Sequence, residues 1–284
     1  MCNKLYLVVP SNLKQPSNVI RLAKSIDYNN NIFLFFINQN SELFLKDIYS
    51  FKKCHVKEFR TNCIIPISKA RNIVLNYLYS TNSFQVDNSI IMFVDDDAWF
   101  PSQTLDMLLK EPITARCLRT IDPEKNKSFN GLSYQEGLVR GWHNIHDIPS
   151  ICLVAPFDFV YKGRYLFNEK LGLGCEVSQG EESLFIYNLC KDGLKIHYNG
   201  NYIYHPYKTI KNPINNYGMS YFWALGVSRI SFMFFWPCLK YILKYTIALF
   251  LIVKNKVYFE IFNNVWKGFF DGIIDSKKVL LNNE

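Results

Sequence analysis

The chain alternates short, largely apolar runs with longer segments in which apolar residues recur every three or four positions. The runs KLYLVV (4–9), NIFLFFI (31–37) and SIIMFV (89–94) have the length of strands. The segments SNVIRLAKSI (17–26) and ISKARNIVLNYLYS (67–80) have helical spacing, and the first begins at a serine that suits a helix cap. Strands that are apolar on both faces and alternate with helices are typical of parallel sheets covered on both sides. The sequence therefore predicts an α/β fold with a doubly wound, mostly parallel, Rossmann-like sheet.

Further elements are predicted from weaker patterns. CHVKEF (54–59) indicates another strand, and EESLFIYNLCKDG (181–193) indicates a helix that ends at its glycine. LKIHYNGNYIYHP (194–206) is interpreted as a pair of strands. Between residues 111 and 150 the pattern weakens, and we predict no element there.

The segment from Tyr207 to Glu284 differs in composition from the rest of the chain. It contains ten Lys and Arg against four Asp and Glu, and so supplies +6 of the formal net charge of +8. Its apolar stretch (231–253) is interrupted by Pro237, Lys240 and Lys244, and the longest uncharged piece after Lys244 is well short of the about 20 residues that span a bilayer. Because the charges are interleaved with Phe, Ile and Leu, we favour a helix lying on an anionic membrane surface over a nucleic-acid-binding arm. A buried packing helix and a transmembrane span are the alternatives.

The cysteines and the first residues bear on the compartment. The eight cysteines form no CxxC pair and have no metal-ligand spacing, which indicates reduced thiols. The apolar run in MCNKLYLVVP is too short for a signal peptide. Both observations predict a cytoplasmic protein.

The run SIIMFV leads directly into three carboxylates, Asp95, Asp96 and Asp97. Side chains alternate in an extended chain, so Asp95 and Asp97 are expected to point the same way. Mg²⁺ commonly takes one or two carboxylates and completes its shell with water and phosphate oxygens. Because ligands bind at the carboxyl ends of strands in such sheets, the motif predicts a divalent-metal site for a diphosphate. A solvated strand end without a ligand is the alternative.

Several blocks between residues 4 and 207 resemble the family 2 glycosyltransferases of the GT-A fold. YLVVP (6–10) is similar to the family's first strand, SKARNIVLNY (68–77) to its Arg-Asn helix, and MFVDDDAWFP (92–101) to the strand with its DXD metal motif. FNEKLGLG (167–174) and QGEESLFIYNLCKDGLKIHYNGNYIYHP (179–206) are similar to its Gly-x-Gly turn, acidic pair, helix and His-Pro. The resemblance implies a GT-A catalytic domain over 1–206, with a nucleotide-binding half (1–100) and an acceptor half (101–206). A helical, basic and apolar C-terminal region that associates with a membrane would follow at 207–284.

The resemblance also implies roles for individual residues. Asp95, Asp97 and a neutral His205 would hold Mn²⁺ or Mg²⁺ on the diphosphate of a nucleotide sugar. Asp96 would contact the ribose or hold the loop, and Arg71 would lie near the phosphates or the base.

Nucleobase recognition is the first departure from the family pattern. Pro10 ends the block that resembles the first strand of the nucleotide site, and Asn38 replaces the family's base-contacting Asp. An amide both donates and accepts hydrogen bonds, so UDP- or dTDP-sugars are the favoured donors.

The general base is assigned by the same resemblance to Glu182, with Glu181 as the alternative. Such a base takes the proton from an acceptor hydroxyl that attacks the anomeric carbon from the face opposite the leaving group, which inverts the configuration. The family commonly has Glu-Asp here, whereas this chain has Glu-Glu. A purely structural role is the alternative, because negative charge is favourable in the first turn of a helix.

Other residues are candidates for the acceptor side. Gly172 and Gly174 would let the backbone turn closely beside the acceptor, or are ordinary turn glycines. Trp142, His143 and His146 would belong to a loop that covers the acceptor, or to an ordinary surface loop.

Together these features predict a metal-dependent, inverting glycosyltransferase that is cytoplasmic and peripherally bound to the inner face of the cell membrane. Its partners would be a nucleotide sugar and a saccharide acceptor, in particular a lipid-linked one, in surface polysaccharide or glycolipid synthesis; no nucleic acid is expected. A nucleotidyltransferase that makes the activated sugar is one alternative, although PSNLKQPSN (10–18) lacks the glycine-rich signature such enzymes carry after the first strand. A non-catalytic, membrane-bound carbohydrate-binding protein on a degenerate fold is the other.

Overall fold

The computed structural model divides the chain into two units. The first comprises Met1–Asn168 and Phe185–Thr209, and the second comprises Glu169–Leu184 and Ile210–Glu284. The structure describes residues 3–61, 63–81, 83–128, 137–139, 148–175, 177–178, 180–206, 239–240, 242–243 and 256–281. The predicted division at residues 206 and 207 stays a prediction.

A mixed sheet forms the centre of the first unit. Its described strands are β1 (Lys4–Ser11), β2 (Ile32–Asn38), β3 (His55–Arg60), β4 (Ser89–Phe93), β5 (Arg116–Asp122), β6 (Lys127–Ser128), β7 (Gly137–Leu138), β8 (Leu153–Pro156) and β9 (His197–Tyr204). Their order is β3-β2-β1-β4-β8-β5-β9-β7, with β6 paired to β5. Strands β1 to β4 are parallel, as are β5 and β9, whereas β8 runs antiparallel to both β4 and β5. The prediction of an α/β fold with a mostly parallel sheet is confirmed.

Helices cover both faces of this sheet because the strand side chains alternate in direction. Among the described residues, the α-helices with defined bounds are α1 (Pro16–Ile26), α2 (Leu45–Ile48), α3 (Ile67–Ser80), α4 (Ser102–Lys110), α5 (Phe157–Lys162), α6 (Glu181–Lys191) and α7 (Lys256–Leu281). Tyr6 and Val8 of β1 pack in one buried cluster with Val74 of α3. Leu7, on the opposite face of β1, packs in a second cluster with Leu22 of α1. Two apolar layers therefore enclose the parallel strands, and the carboxyl ends of β1, β2 and β4 are left at one edge.

A carboxylate joins the end of α1 to the segment before β3. Asp27 accepts hydrogen bonds from the backbone N–H groups of Lys52 (2.8 Å), Lys53 (2.8 Å) and Cys54 (2.9 Å), and from the Tyr49 hydroxyl (3.3 Å). Burial raises the pKa of Asp27, but these hydrogen bonds outweigh it and hold the pKa below its usual value. The ionised form of Asp27 therefore stabilises this loop.

Two segments differ from the sequence predictions. Strand β5 lies in the segment for which we predicted no element, and it is central to the sheet. Its Arg116 is buried. The guanidinium forms an ion pair with Glu111 (3.0 Å) and donates a hydrogen bond to the Pro112 carbonyl (2.7 Å). The segment 194–206, predicted as two strands, contains the single strand β9 (His197–Tyr204).

The second unit contains α7, which fits the predicted helical C-terminal region. Lys170 forms an ion pair with Asp275 of this helix at 2.9 Å, and Ile242 packs against Val265. Among the residues that the structure describes, no helix is both long and apolar enough to cross a membrane. Most of the apolar stretch 231–253 lies outside the described residues, so its predicted membrane contact stays a prediction.

Candidate active site

The three carboxylates follow β4 at the edge where the parallel strands end. The chain turns there, with the Ala98 N–H donating to the Asp95 carbonyl at 3.1 Å. Asp96 accepts a hydrogen bond from the Ser11 hydroxyl at the end of β1. Asp95 and Asp97 instead approach a common partner, His205. Asp95 and Asp97 therefore share a direction as predicted, but a turn at this point, and not the alternation of an extended strand, produces it.

His205 lies directly after β9 and faces the two carboxylates. Its backbone N–H donates to the Ile121 carbonyl of β5 at 3.0 Å. Its Nε2 lies 3.0 Å from Oδ1 of Asp97 and 3.5 Å from Oδ2 of Asp95. Burial lowers the pKa of His205, but the hydrogen bonds and charges of the two carboxylates outweigh this and raise it to about 9. Two negative charges are thus held against one imidazole.

This donor set fits a divalent cation. One ligand atom from each of Asp95, Asp97 and His205 lies within 4.8 Å of the others. Two carboxylate oxygens and an imidazole nitrogen are ligands that Mn²⁺ takes readily, and Mg²⁺ takes the oxygens. The Asp97 side chain is 6% exposed and that of Asp95 is 37% exposed, so one carboxylate is fixed by burial while the other faces solvent. Such a site could hold an ion with a further ligand on its solvent side.

Arg71 of α3 places a fixed positive charge beside Asp95. Its side chain is fully buried, and its Nη2 lies 3.8 Å from Oδ1 of Asp95 and 2.8 Å from the Ser150 hydroxyl, to which it donates. Its guanidinium carbon lies 5.1 Å from the ring centroid of Phe167, a cation–π distance. A buried guanidinium that keeps its charge is costly unless it is paired, so these contacts hold Arg71 towards the carboxylates.

Asn72, the neighbour of Arg71, has a role that the sequence analysis did not assign. Its Oδ1 accepts from the Phe167 N–H at 2.8 Å, and its Nδ2 donates to the Phe167 carbonyl at 2.9 Å. The Asn72 amide thereby bonds both backbone groups of Phe167, as a neighbouring strand would, and fixes the residue whose ring lies beneath Arg71. The sequence pattern that could have indicated this role is a polar residue, Asn72, next to an arginine on an otherwise apolar face of the helix.

Pro10 and Asn38 lie at the same edge of the sheet, in β1 and β2. Pro10 pairs with Ile37, and the next pair in register is Ser11 with Asn38. The Asn38 side chain is fully buried, donates to the Leu43 carbonyl (2.7 Å) and to Glu58 (2.6 Å), and accepts from the Asn40 N–H (2.9 Å). Its observed role is to order the loop after β2, and its predicted contact with a nucleobase stays a prediction.

The two candidate general bases lie in the second unit. Glu181 and Glu182 open α6, which begins just after Gly180, a glycine with φ of 92°. Before them, a turn is closed by the Gly172 N–H donating to the Val177 carbonyl at 2.8 Å. Gly172 and Gly174 have φ of 103° and 91°, in the left-handed region that favours glycine.

Cys175 in this turn lies near the charges of Glu181 and Glu169. Burial raises the pKa of the Cys175 thiol, and the charges of Glu181 and Glu169 raise it further. The Cys175 Sγ donates to the Glu169 carbonyl at 3.1 Å. Trp142, His143 and His146 lie outside the described residues.

Comparisons with known proteins give a structural likeness. No protein-family model matches the chain, and no curated protein matches it. The crystal structure of residues 1–349 of S. aureus TarS matches with a TM-score of 0.66 at 12% identity, covering 95% of this chain and 81% of that one. The same protein in complex with UDP-GlcNAc matches with a TM-score of 0.65 at 12% identity and the same coverage. The complex with UDP matches with a TM-score of 0.53 at 13% identity, covering 78% of this chain and 63% of that one. The chain therefore has the GT-A fold of family 2-type glycosyltransferases. Its sequence blocks indicated this fold, and TarS shares it.

Proposed function

We propose that this chain is an inverting, metal-dependent glycosyltransferase that moves a sugar from a nucleotide sugar to a saccharide acceptor. The observation that carries the proposal is the meeting of Asp95, Asp97 and His205 at the carboxyl edge of a GT-A sheet. Support for the donor comes from TarS, which has the same fold and was crystallised with UDP-GlcNAc and with UDP. A UDP-sugar is accordingly the first donor to test, and a dTDP-sugar the second.

The metal residues would act on the leaving group. Asp95, Asp97 and neutral His205 would hold Mn²⁺ or Mg²⁺, which would supply positive charge against the charge that develops on the departing nucleoside diphosphate. Arg71 keeps a fixed positive charge behind Asp95 and limits the repulsion between the carboxylates. Asp96, which accepts a hydrogen bond from Ser11, would contact the ribose or hold the loop.

Pro10 and Asn38 would define the nucleotide end of the site. Pro10 supplies a rigid wall at the end of β1. Asn38 orders the loop after β2, whose polar backbone and side chains then meet the base. Recognition of a pyrimidine by such a loop is consistent with the UDP ligands of TarS.

Glu182 would be the general base, with Glu181 as the alternative. The base accepts the proton of the acceptor hydroxyl while the oxygen attacks the anomeric carbon, and the sugar–phosphate bond breaks on the opposite face. One proton moves to the carboxylate and the diphosphate leaves with the bonding electron pair. The configuration at the anomeric carbon is inverted.

The acceptor and the location follow from composition. A basic, apolar tail suits a lipid-linked saccharide at the cytoplasmic membrane surface, as in surface polysaccharide or glycolipid synthesis. Co-sedimentation of the full chain with vesicles containing anionic lipid tests this part. Binding to neutral vesicles alone would contradict the proposed role of the basic charges.

Thermal shift with nucleotide sugars tests the central proposal. The protein is heated with UDP-GlcNAc, UDP-glucose, dTDP-glucose or GDP-mannose, each with and without Mn²⁺. A ligand at 100 times its Kd stabilises by about 2.7 kcal/mol, which raises Tm by several degrees. Asp97→Asn should abolish the metal-dependent part, whereas Asp106→Asn, which changes a half-exposed carboxylate on α4, should not.

Turnover separates the two glutamates. With the donor identified, Glu182→Gln should lower the rate of UDP release by at least about 100-fold, the scale of general base catalysis, and Glu181→Gln by less. If no nucleotide sugar moves the melting curve with Mn²⁺, the carboxylates are a solvated strand end and the proposal is wrong.

A further inference from the structure

The meeting of Asp97 and His205 is not a consequence of strand pairing in the sheet. Asp97 follows β4 and His205 follows β9, and two strands, β8 and β5, lie between β4 and β9. A short antiparallel bridge between Trp99 and Tyr204, the last residue of β9, joins the two ends instead. The Trp99 N–H donates to the Tyr204 carbonyl at 3.0 Å, and the Tyr204 N–H donates to the Trp99 carbonyl at 2.9 Å.

Side chains reinforce this bridge. The rings of Trp99 and Tyr204 stack with centroids 5.3 Å apart and planes inclined by 27°. Arg21 of α1 places its guanidinium carbon 3.8 Å from the centroid of the Trp99 ring, close enough for a cation–π contact. On α4, the Thr104 hydroxyl donates to the Tyr202 carbonyl at 2.8 Å. Elements from three parts of the chain therefore converge on the end of β9.

We propose that Arg21, Trp99 and Tyr204 form a positioning clamp that sets the distance between Asp97 and His205. The proposal rests on the proposed function only in naming a divalent cation as the ligand of that pair. None of the three clamp side chains is assigned a contact with metal, donor or acceptor. Trp99 is two residues after Asp97, and Tyr204 is one residue before His205. Because so few residues separate the bridge from the two ligands, the position of the bridge determines the distance between Asp97 and His205.

The physical reason lies in the exposure of the bridge. Trp99 and Tyr204 are only half-buried, so water competes for their two backbone hydrogen bonds. Stacked rings and an overlying guanidinium exclude part of that water and restrict the two backbones. Without the rings, His205 would sample positions away from Asp97, and an ion would lose one of its three protein ligands for part of the time. Partners that orient metal ligands commonly change affinity by about 10- to 100-fold.

The first measurement is Mn²⁺ binding to the full chain, with Mn²⁺ alone as the probe, followed by electron paramagnetic resonance of the free ion. We expect Trp99→Leu to raise the Kd by about tenfold or more, Trp99→Phe to restore most of the affinity, and Arg21→Gln to raise the Kd by about two- to fivefold. Phe44→Leu is the matched control, since Phe44 also lies 3.8 Å beneath an arginine, Arg60, and has no contact with the ligands. Its Kd should equal that of the wild type.

The second measurement does not depend on metal. Hydrogen exchange of the metal-free protein reports the Trp99 and Tyr204 amides directly, because both are donors in the bridge. Trp99→Leu should lose protection in peptides covering 98–100 and 203–205, while those covering β1 and β4 keep theirs. If Trp99→Leu does not fold, the milder surface change Arg21→Gln is measured in the same way.

The outcomes separate the two proposals. Wild-type Mn²⁺ affinity in Trp99→Leu and Arg21→Gln, or unchanged exchange at the bridge, overturns the clamp and leaves the proposed function intact. If the wild type binds no Mn²⁺ while the bridge still loses protection in Trp99→Leu, the metal site is wrong and the clamp is a purely structural element. Weaker binding together with lost protection, both restored by Trp99→Phe, supports the clamp as stated.

Discussion

Asn72 allows a prediction whose size follows directly from the structure. Its side chain makes two hydrogen bonds, at 2.8 and 2.9 Å, to the backbone N–H and carbonyl of Phe167, and both residues are buried. Asn72→Ala removes both partners at once and leaves the two backbone groups without them. An unsatisfied buried polar group costs about 1–3 kcal/mol, so the variant should lose about 2–6 kcal/mol of unfolding free energy. For a domain with a total of about 5–15 kcal/mol this is a large fraction.

The surroundings of Phe167 add to this expected loss. Its ring stacks on Phe185 at 4.2 Å and 7°, and meets Phe93 edge-on at 4.8 Å. It also lies beneath the Arg71 guanidinium. Release of the Phe167 backbone would therefore disturb an aromatic cluster as well as the arginine behind Asp95.

Urea unfolding followed by far-ultraviolet circular dichroism measures the change. Asn76→Ala is the matched control, because Asn76 lies on the same helix, four residues later, and is exposed. We expect it to change stability by no more than about 0.5 kcal/mol. Asn72→Asp should also be destabilised, because a carboxylate cannot donate to the Phe167 carbonyl. A value for Asn72→Ala within about 0.5 kcal/mol of the wild type would refute the reasoning.

Three further predictions follow from titratable groups. The pKa of Asp27 is lowered on folding, so its stabilisation is present above the unfolded value of about 3.9 and is lost as pH falls through its lower folded value. In urea unfolding, Asp27→Asn should therefore cost about 1–3 kcal/mol at pH 7 and progressively less as pH falls below about 3.9. The pKa of His205 is raised to about 9, so without metal the stabilisation from its charged form is complete below about pH 6.5 and is lost as pH rises through 9. In EDTA, the Tm of the wild type should therefore fall more between pH 7 and pH 9.5 than the Tm of His205→Gln. Parallel curves of Tm against pH for the two proteins would contradict this prediction. Burial and then the Glu181 charge raise the pKa of the Cys175 thiol, so Glu181→Gln should lower that pKa and increase the thiolate fraction. Alkylation of Cys175 by iodoacetamide at pH 8 should therefore be faster in this variant. Peptide mass spectrometry measures the rate, with the exposed Cys63 as the internal standard.

The parallel half of the sheet was predictable because its signals are local. The runs that became β1, β2 and β4 are apolar on both faces, and burial on both faces is what a covered parallel strand requires. The common direction of Asp95 and Asp97 was predicted from the alternation of an extended chain, although a turn at Asp96 and Asp97 produces it in the structure. Neither inference needs knowledge of a distant partner.

Strand β5 was missed because its arginines interrupt the apolar pattern and are accommodated by specific contacts, one local and one distant. Arg116 is paired with Glu111, and Arg119 lies 5.6 Å from the ring of Tyr198 in the neighbouring β9. A segment with two arginines carries no periodic apolar signal, although both are accommodated once the neighbours are in place. The interpretation of 194–206 as two strands was wrong because the single strand β9 pairs with β5 on both sides of an irregularity, through His197 and Tyr198 and again through Tyr202 to Tyr204.

The sequence by itself determined the α/β class, the strand that carries the three carboxylates and, through a family resemblance, the candidate role of His205. These depend on side-chain periodicity and residue chemistry, which are local. Only the tertiary structure decided that His205 meets Asp97 at 3.0 Å, that Arg71 is buried behind Asp95, and that Asn72 holds Phe167. Those contacts join residues far apart in the chain, and their free energy depends on distances and burial that no local pattern contains.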